Sequence, residues 1–237
     1  MGTVVVFDLD GTITRGDTFL AYLIHVLVRR PERVPRCLGL IAAAVRFASG
    51  SGGREMLKGA TLTAVVGGMR RDEAVQLADD FVERRLPRMI KPAALTRIAW
   101  HRRRGHRLIL ATASVDLYAA AIAKRLGFTD AVCTRAVWCN DTVAGGLDGP
   151  NLRGEAKLAA LRGALDDIRS PRTTLIAYSD HHSDLPLLRF ADRGIAVDPT
   201  RRLADCAAAL GLPVERWRDG GPESLDLVPA ALLNGRR

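Results

Sequence analysis

The sequence predicts an α/β fold in which a core built on a parallel sheet carries an inserted helical cap. Short apolar runs with the length of buried strands recur along the chain, and helix-period segments separate them, as in βαβ units. One long region, between the first two runs, contains no strand-like run. The expected strands are Val4–Phe7, Arg107–Ala111, Thr173–Tyr178 and Gly194–Val197.

The first strand and the region after it define the expected domain organisation. Val4–Phe7 is apolar at every position, which is typical of a strand buried on both faces of a parallel sheet. From about residue 16 to residue 89, helix-period segments are interrupted by Pro31, Pro35 and several glycines. We therefore expect an α/β core at residues 1–15 and 90–237 and a helical cap at residues 16–89.

The later elements follow from the same periodicities. Helices are expected at Ala93–Arg104, at Val115–Leu126 with Gly127 as the C-terminal cap, and at Glu155–Leu165. The pattern weakens between Val132 and Asn151, which predicts a hairpin or an irregular excursion. The short mixed segment after Pro222 predicts a terminal helix.

Composition limits the function classes without choosing one. The chain has 237 residues, 48% of them hydrophobic, and a net charge of +9, so it can bury a core and attract acidic partners. Solvated basic helix faces explain the same charge. Nucleic acid is disfavoured as a partner because no basic run is interleaved with aromatic residues.

The four cysteines form no C-x-x-C pair and do not converge with histidines at zinc-ligand spacing. This usage favours a reduced, cytoplasmic setting. Met1 leads almost directly into the first strand without a basic or cleavable leader, so no signal peptide is expected.

The sharpest motif follows the first strand, where Asp8 and Asp10 stand two residues apart in the run Phe7–Thr12. Ligands of open α/β sheets bind at the carboxyl ends of the strands. Strand alternation would put both side chains on one side, and Gly11 would let the chain turn there. Two neighbouring carboxylates raise the pKa of one of them unless a cation lies nearby, so they indicate a bound cation or separate acid and base roles. The alternative is a polar turn without a catalytic role.

Three further signals lie at comparable positions. Thr112 ends the second strand run, where a hydroxyl and helix N-terminal N–H groups can bind an anion or simply cap the helix. Lys157 lies near the start of a helix, where the helix dipole disfavours a cation unless an anion is bound. Asp180 and Asp184 follow the third strand, and oxygen ligands such as these favour Mg²⁺. The adjacent His181 and His182 are expected to line the mouth of the site or cap a turn.

These motifs, in this order, resemble the haloacid dehalogenase-like (HAD) superfamily of hydrolases, specifically subclass IB, the phosphoserine phosphatase-like group. The resemblance spans about Val4 to Pro199 and rests chiefly on the D-x-D-G-T motif. It implies a Rossmann-like parallel sheet core with a helical cap inserted between the first two motifs.

The resemblance also implies roles for individual residues. Asp8 would be the nucleophile that forms an aspartyl-phosphate, and Asp10 the general acid and base. Asp8, the backbone carbonyl of Asp10 and Asp180 would hold Mg²⁺. The remaining roles are phosphate binding by Thr112 and Lys157, and orientation of Lys157 or of a metal-bound water by Asp184.

Two positions depart from the family pattern. Ser179 stands where the last motif usually begins with Gly, which is a mild backbone change. Asp17 stands where phosphoserine-specific members carry Glu, so phosphoserine itself is a less favoured substrate. Asp17 remains a candidate for the substrate entrance.

The expected cap contains two apolar segments, Phe19–Val28 and Cys37–Val45, flanked by arginines. Neither reaches the length of about 18 apolar residues that a membrane span needs. We expect them to pack on each other and on the core. The alternative is that the cap helices contact the surface of an anionic membrane, which would make the protein peripheral to it.

The leading functional interpretation is a Mg²⁺-dependent phosphatase that hydrolyses a phosphorylated small molecule through Asp8. The alternatives are a phosphatidylglycerophosphate-type lipid phosphate phosphatase at the membrane surface and a phosphotransferase that passes the phosphoryl group to an alcohol. A non-enzymatic binding module is disfavoured because every catalytic motif position is filled.

Overall fold

A computed structural model of the chain describes residues 2–50, 53–166 and 173–218. Seven strands form one sheet in the order β4-β3-β2-β1-β5-β6-β7, and every neighbouring pair is parallel except β3 and β4. The strands are β1 (Thr3–Phe7), β2 (Arg107–Val115), β3 (Asp130–Cys139), β4 (Thr142–Asp148), β5 (Thr174–Ser179), β6 (Arg193–Val197) and β7 (Val214–Glu215). The predicted α/β class and its four strands are confirmed.

The central strand β1 is buried on both faces, as its unbroken apolar run predicts. Val5 and Phe7 belong to one hydrophobic cluster, whereas Val4 and Val6 belong to the cluster on the opposite face. Successive side chains of a strand point to opposite faces, so both faces must be covered by helices. The carboxyl end of β1 therefore opens in the middle of the sheet edge.

Helices make up most of the rest of the described chain. They are α1 (Thr18–Arg29), a 3₁₀ segment (Pro31–Gly39), α2 (Leu40–Ala48), α3 (Arg54–Val66), α4 (Arg71–Arg84), α5 (Leu86–Met89), α6 (Pro92–Arg103), α7 (Asp116–Leu126), α8 (Glu155–Leu165), α9 (Leu185–Phe190) and α10 (Arg201–Leu210). Between β1 and α6 the described residues form helices and isolated β-bridges joined by turns, with no strand, so the predicted helical insertion is confirmed. Its assignment to a separate domain at residues 16–89 stays a prediction.

The uncertain stretch from Val132 to Asn151 contains an antiparallel hairpin, β3–β4. Asn140 and Asp141 form its turn with φ values of 44° and 62°, a conformation that Asn and Asp tolerate better than other non-glycine residues. Helix α3 packs on β4. The hairpin thus connects the helical insertion to the edge of the sheet.

The structure differs from the sequence prediction at β2, which continues to Val115 instead of ending at Ala111. Its register with β3 shifts between Thr112 and Val115, and the Thr112 hydroxyl accepts a hydrogen bond from the Ser114 N–H at 3.0 Å. Thr112 consequently lies within the irregular end of the strand, and α7 begins at Asp116. The sequence did not predict α9, α10 or the two-residue β7, and the helix predicted after Pro222 lies outside the described residues.

Candidate active site at the carboxyl edge of the sheet

The turn after β1 brings the first two carboxylates to the sheet edge. The Asp8 N–H still donates to the Tyr178 carbonyl at 3.0 Å, but the strand ends at Phe7 and an irregular turn covers Leu9–Ile13. Gly11 adopts φ +83° inside this turn. The predicted strand alternation of Asp8 and Asp10 is therefore wrong, because the turn and not the pleat positions Asp10.

Asp8 lies in a buried chain of charges. The Lys157 ammonium donates to Asp8 Oδ1 at 2.7 Å and to Asp184 Oδ2 at 2.6 Å, and Ser179 Oγ donates to the same Asp184 oxygen at 2.8 Å. Lys157 is 2% exposed. Its burial alone would lower its pKa, but the charges of Asp184 and Asp8 outweigh that effect and raise it. Lys157 is thus held as a cation beside Asp8, and Asp184 orients it.

Asp180 reaches the same place from the end of β5. The Thr12 hydroxyl lies 3.2 Å from Asp8 Oδ2 and 3.2 Å from Asp180 Oδ1, and the Asp180 N–H donates to it at 3.0 Å. A Cβ atom at Gly11 would lie 2.2 Å from Asp180 Oδ2. Gly is therefore required at position 11 both for its positive φ and for the close approach of the Asp180 carboxylate.

The Asp10 carboxylate accepts hydrogen bonds from hydroxyl groups and a backbone N–H. Asp10 Oδ1 accepts from the Thr18 N–H and hydroxyl at 2.6 Å each, and Oδ2 accepts from Ser114 Oγ at 2.7 Å. Ser114 in turn accepts from the Tyr118 hydroxyl at 2.8 Å. Burial raises the pKa of Asp10, and these hydrogen bonds oppose the rise. Helix α1 thus contacts Asp10 through its first residue, and β2 contacts it through Ser114, which Tyr118 of α7 holds in turn.

The remaining predicted residues lie around this centre. Thr112 is buried next to the bulge at the end of β2. Asp17 is exposed and caps α1, since its Oδ1 accepts from the Leu20 N–H at 3.0 Å; its entrance role stays a prediction. His181 caps the short turn at His182–Asp184 by accepting from the Ser183 N–H at 3.1 Å, as predicted.

The donor set fits a hard divalent cation. Burial raises the pKa of Asp8 to about 7 against the effect of Lys157, and it raises the pKa of Asp180 to about 6. Two buried carboxylates with raised pKa values lack positive charge, which a cation next to both would supply. The described residues contain no cluster of three or more His, Cys, Asp or Glu side chains suited to a metal. Two carboxylates and a backbone carbonyl are instead the set that Mg²⁺ accepts when water and phosphate complete its shell.

Sequence reasoning missed several residues that shape the site. The buried Lys91 ammonium donates to the Gly11 carbonyl and to Asp198 Oδ2, the latter at 2.8 Å. Lys58 of α3 donates to the Ala113 carbonyl and, at 2.8 Å, to Asn151 Oδ1, so the helical insertion contacts the end of β2. A signal was present, because only four of the 35 basic residues are lysines. Three of those four, Lys58, Lys91 and Lys157, contact the elements of the site.

A model of haloacid dehalogenase-like hydrolases matches residues 5–189, a span that includes Asp8, Lys157 and Asp184. The chain belongs to this hydrolase family. Among curated relatives, Protein CicA of Caulobacter vibrioides is 32% identical over 206 residues, covering 80% of this chain and 83% of that protein. Phosphoserine phosphatase SerB1 of Mycobacterium tuberculosis is 27% identical over 240 residues, covering 97% of this chain and 75% of that protein.

A solved structure supports the same fold. A protein of unknown function from Bordetella pertussis Tohama I superimposes with a TM-score of 0.77 at 22% identity, covering 90% of this chain and 98% of that one. The hydrolase family and its α/β architecture are therefore established, and the predicted resemblance is confirmed.

Proposed function

We propose that this hydrolase is a Mg²⁺-dependent phosphatase that cleaves a phosphomonoester through a covalent intermediate on Asp8. The observation that carries the proposal is the arrangement around Asp8. Lys157 lies 2.7 Å from one of its oxygens, and Thr12 connects the other oxygen to Asp180. A buried carboxylate between a fixed cation and a second carboxylate can attack an anionic phosphoryl group once the charges are balanced.

The proposed reaction has two displacements at phosphorus. An Asp8 carboxylate oxygen forms the bond to phosphorus while the ester P–O bond breaks, and the Asp10 carboxylic acid gives its proton to the departing alkoxide oxygen. Asp10, now a carboxylate, then takes a proton from water as that water attacks the phosphorus. The bond from phosphorus to Asp8 breaks, so inorganic phosphate leaves and both carboxylates return to their starting states.

The surrounding residues stabilise the transferring group. Lys157 would offset the negative charge of the phosphoryl oxygens, and it is pre-positioned by Asp184. The Thr112 hydroxyl accepts from Ser114 N–H and can donate its own hydrogen to a phosphoryl oxygen. Asp8, Asp180 and the Asp10 carbonyl would hold Mg²⁺, which when bound supplies positive charge for the phosphoryl oxygens.

The proposed substrate is a phosphorylated small molecule, a class supported by the similarity to the mycobacterial phosphoserine phosphatase SerB1. Asp17 in place of Glu argues against phosphoserine itself. Transfer to an alcohol acceptor would use the same phosphorylated Asp8, so added alcohols separate hydrolysis from transfer. A lipid phosphate gains support from the exposed apolar residues of the helical insertion, and a vesicle-borne substrate belongs in the screen for that reason.

The proposal is tested by phosphate release from a panel of phosphomonoesters, including phosphatidylglycerophosphate in vesicles. We expect turnover with Mg²⁺, its loss in EDTA, and its recovery when Mg²⁺ is restored. The Asp180→Asn variant should need a higher Mg²⁺ concentration for half-maximal rate. Turnover that is unchanged by EDTA would contradict the assignment of the metal. A complete lack of turnover on every ester with Mg²⁺ present would contradict the assignment of phosphatase activity.

A further inference from the structure

Exposed apolar side chains are concentrated on one part of the helical insertion. Eleven large hydrophobic residues are exposed among the described residues, and eight of them lie between positions 20 and 47. We name these eight the cap surface: Leu20, Ile24, Val28, Val34, Leu38, Ile41, Val45 and Phe47. Concentrated exposed apolar area of this kind marks a site of interaction with a protein or a membrane.

Helix α1 is apolar on two faces, and only one of them is covered. Tyr22, Leu23 and Val26 are buried, and Tyr22 stacks on Tyr118 with ring centroids 4.5 Å apart. Leu20, Ile24 and Val28 follow each other at four-residue spacing and are 50% to 63% exposed. Residues at that spacing share one helix face, so α1 presents an apolar stripe to solvent.

The 3₁₀ segment and α2 contain no buried residue and are mostly exposed. Leu38, Ile41 and Val45 are 61% to 70% exposed although α2 is almost entirely apolar. The expectation that the two apolar segments pack on each other and on the core is met only in part. Helix α2 contacts α3 and the 3₁₀ segment, but none of its residues is buried.

Arginines outnumber acidic residues in the segment that carries the cap surface. Residues 17–48 contain five arginines and two acidic residues. Arg33 and Arg36 both donate to the Gly67 carbonyl at 2.9 Å, which leaves their charge in place. Arg29 pairs with Asp80 and Arg30 with Glu73, yet the two arginine side chains remain 42% and 40% exposed. An anionic membrane surface complements a surface of this kind. Its acyl chains can take up the apolar side chains, and its headgroups can bind the guanidinium groups.

We infer that the cap surface docks on an anionic lipid bilayer, with the eight apolar side chains in the interface and the arginines among the headgroups. A second copy of the chain fits less well, since both copies would bring the same excess of arginines over acidic residues to the contact. None of the described helices combines the length and apolarity needed to cross a bilayer, so the contact is with the membrane surface. The inference does not depend on turnover.

Docking would place the membrane next to the catalytic centre. Leu20 lies two residues beyond Thr18, whose N–H and hydroxyl both bind Asp10. The helix that holds the proposed acid therefore also carries the lipid-facing stripe.

Co-sedimentation of the full chain with vesicles tests the inference. Phosphatidylcholine vesicles are compared with vesicles that also contain phosphatidylglycerol, at low and at high salt. The test variant is Leu38→Ser/Ile41→Ser/Val45→Ser. The matched control, Val75→Ser/Leu210→Ser/Val214→Ser, removes apolar side chains of 46% to 50% exposure elsewhere on the chain. Thermal melting checks that both variants fold.

We expect binding to the anionic vesicles, weaker binding at high salt, and a partition coefficient at least about tenfold lower for the test variant. The control should bind like the unmodified chain. The inference is overturned if the chain binds neither vesicle, binds both equally, or loses binding equally in both variants. It is also overturned if light scattering shows a dimer that the test variant abolishes while vesicles are not bound.

Discussion

Lys91 is the buried cation that we expect to hold the catalytic turn in place, and Lys91→Met tests this. Lys91 is fully buried, and its ammonium contacts both the Gly11 carbonyl and the Asp198 carboxylate. Burial works to raise the pKa of Asp198, but the bonds from Lys91 and from the Trp217 N–H outweigh it and lower that pKa. The Met variant would leave Asp198 charged, buried and without its ammonium partner.

The expected cost follows from that burial. The side chains of Lys91 and Asp198 are 0% and 4% exposed, and removal of one partner from such a pair costs roughly 3–5 kcal/mol in the free energy of unfolding. The double variant Lys91→Met/Asp198→Asn should recover part of this loss. Its amide oxygen still accepts from the Trp217 N–H, a contact of 2.9 Å, and the uncompensated charge is gone.

Urea unfolding of the single and double variants measures the effect. Lys124→Met is the matched control, because Lys124 is exposed and its loss should change the free energy by less than about 0.5 kcal/mol. The reasoning is refuted if Lys91→Met is no less stable than the control. It is also refuted if the double variant is less stable than Lys91→Met, since the two residues would then contribute independently.

Three further outcomes are expected. Ser114→Ala removes the 2.7 Å hydrogen bond to Asp10 and should lower kcat about tenfold, with Ser114→Thr retaining more of it; equal kcat values for all three would count against this role. Gly11→Ala should cost about 1–2 kcal/mol for its positive φ and weaken Mg²⁺ binding by calorimetry, because its Cβ would displace the Asp180 carboxylate; unchanged affinity would speak against the metal site. Burial lowers the pKa of His101 to about 3, so below about pH 6.5 the unfolded chain binds a proton that the folded chain does not. The contribution of His101 to the free energy of unfolding should therefore fall between pH 6.5 and 4, by up to about 1.4 kcal/mol per unit. The raised pKa values of Asp8 and Asp180 act in the opposite direction, so the test is the difference between the unmodified chain and His101→Gln, which should shrink as the pH falls; parallel curves would contradict the assignment.

The sheet was predictable because its central strands carry a signal that burial imposes directly. Val4–Phe7 is apolar throughout because both faces of β1 are covered, and the strands β2, β5 and β6 follow the same rule. The edge elements gave weaker signals. The hairpin strands β3 and β4 are only partly buried, and β7 has two residues, so neither periodicity nor length distinguishes them from loops.

Site residues were predictable where a motif requires a particular residue type at a given position. They were not predictable where only contacts between distant parts of the chain give a residue its role. Asp8, Lys157, Asp180 and Asp184 meet because parallel strands and the following helix end at one sheet edge. Lys91 could not be assigned a role from sequence, because its partner Asp198 is 107 residues away.

The exposure of the helical insertion could not be predicted from the sequence either, because apolar periodicity does not show which surface, if any, covers a helix. Helix α2 is almost entirely apolar, as a buried helix would be, yet none of its residues is buried. That mismatch between composition and burial is the observation from which the membrane surface is inferred.

The central claim is that Asp8 is phosphorylated during turnover, and one measurement tests it directly. The enzyme is mixed with Mg²⁺ and a phosphomonoester that it hydrolyses, and the reaction is quenched in acid. The protein is then analysed by peptide mass spectrometry, with Asp8→Asn treated identically. We predict a hydroxylamine-sensitive phosphoryl group on the peptide that contains Asp8, and neither adduct nor turnover in the Asn variant. A phosphoryl group on another residue, or substantial turnover in Asp8→Asn, would contradict the account.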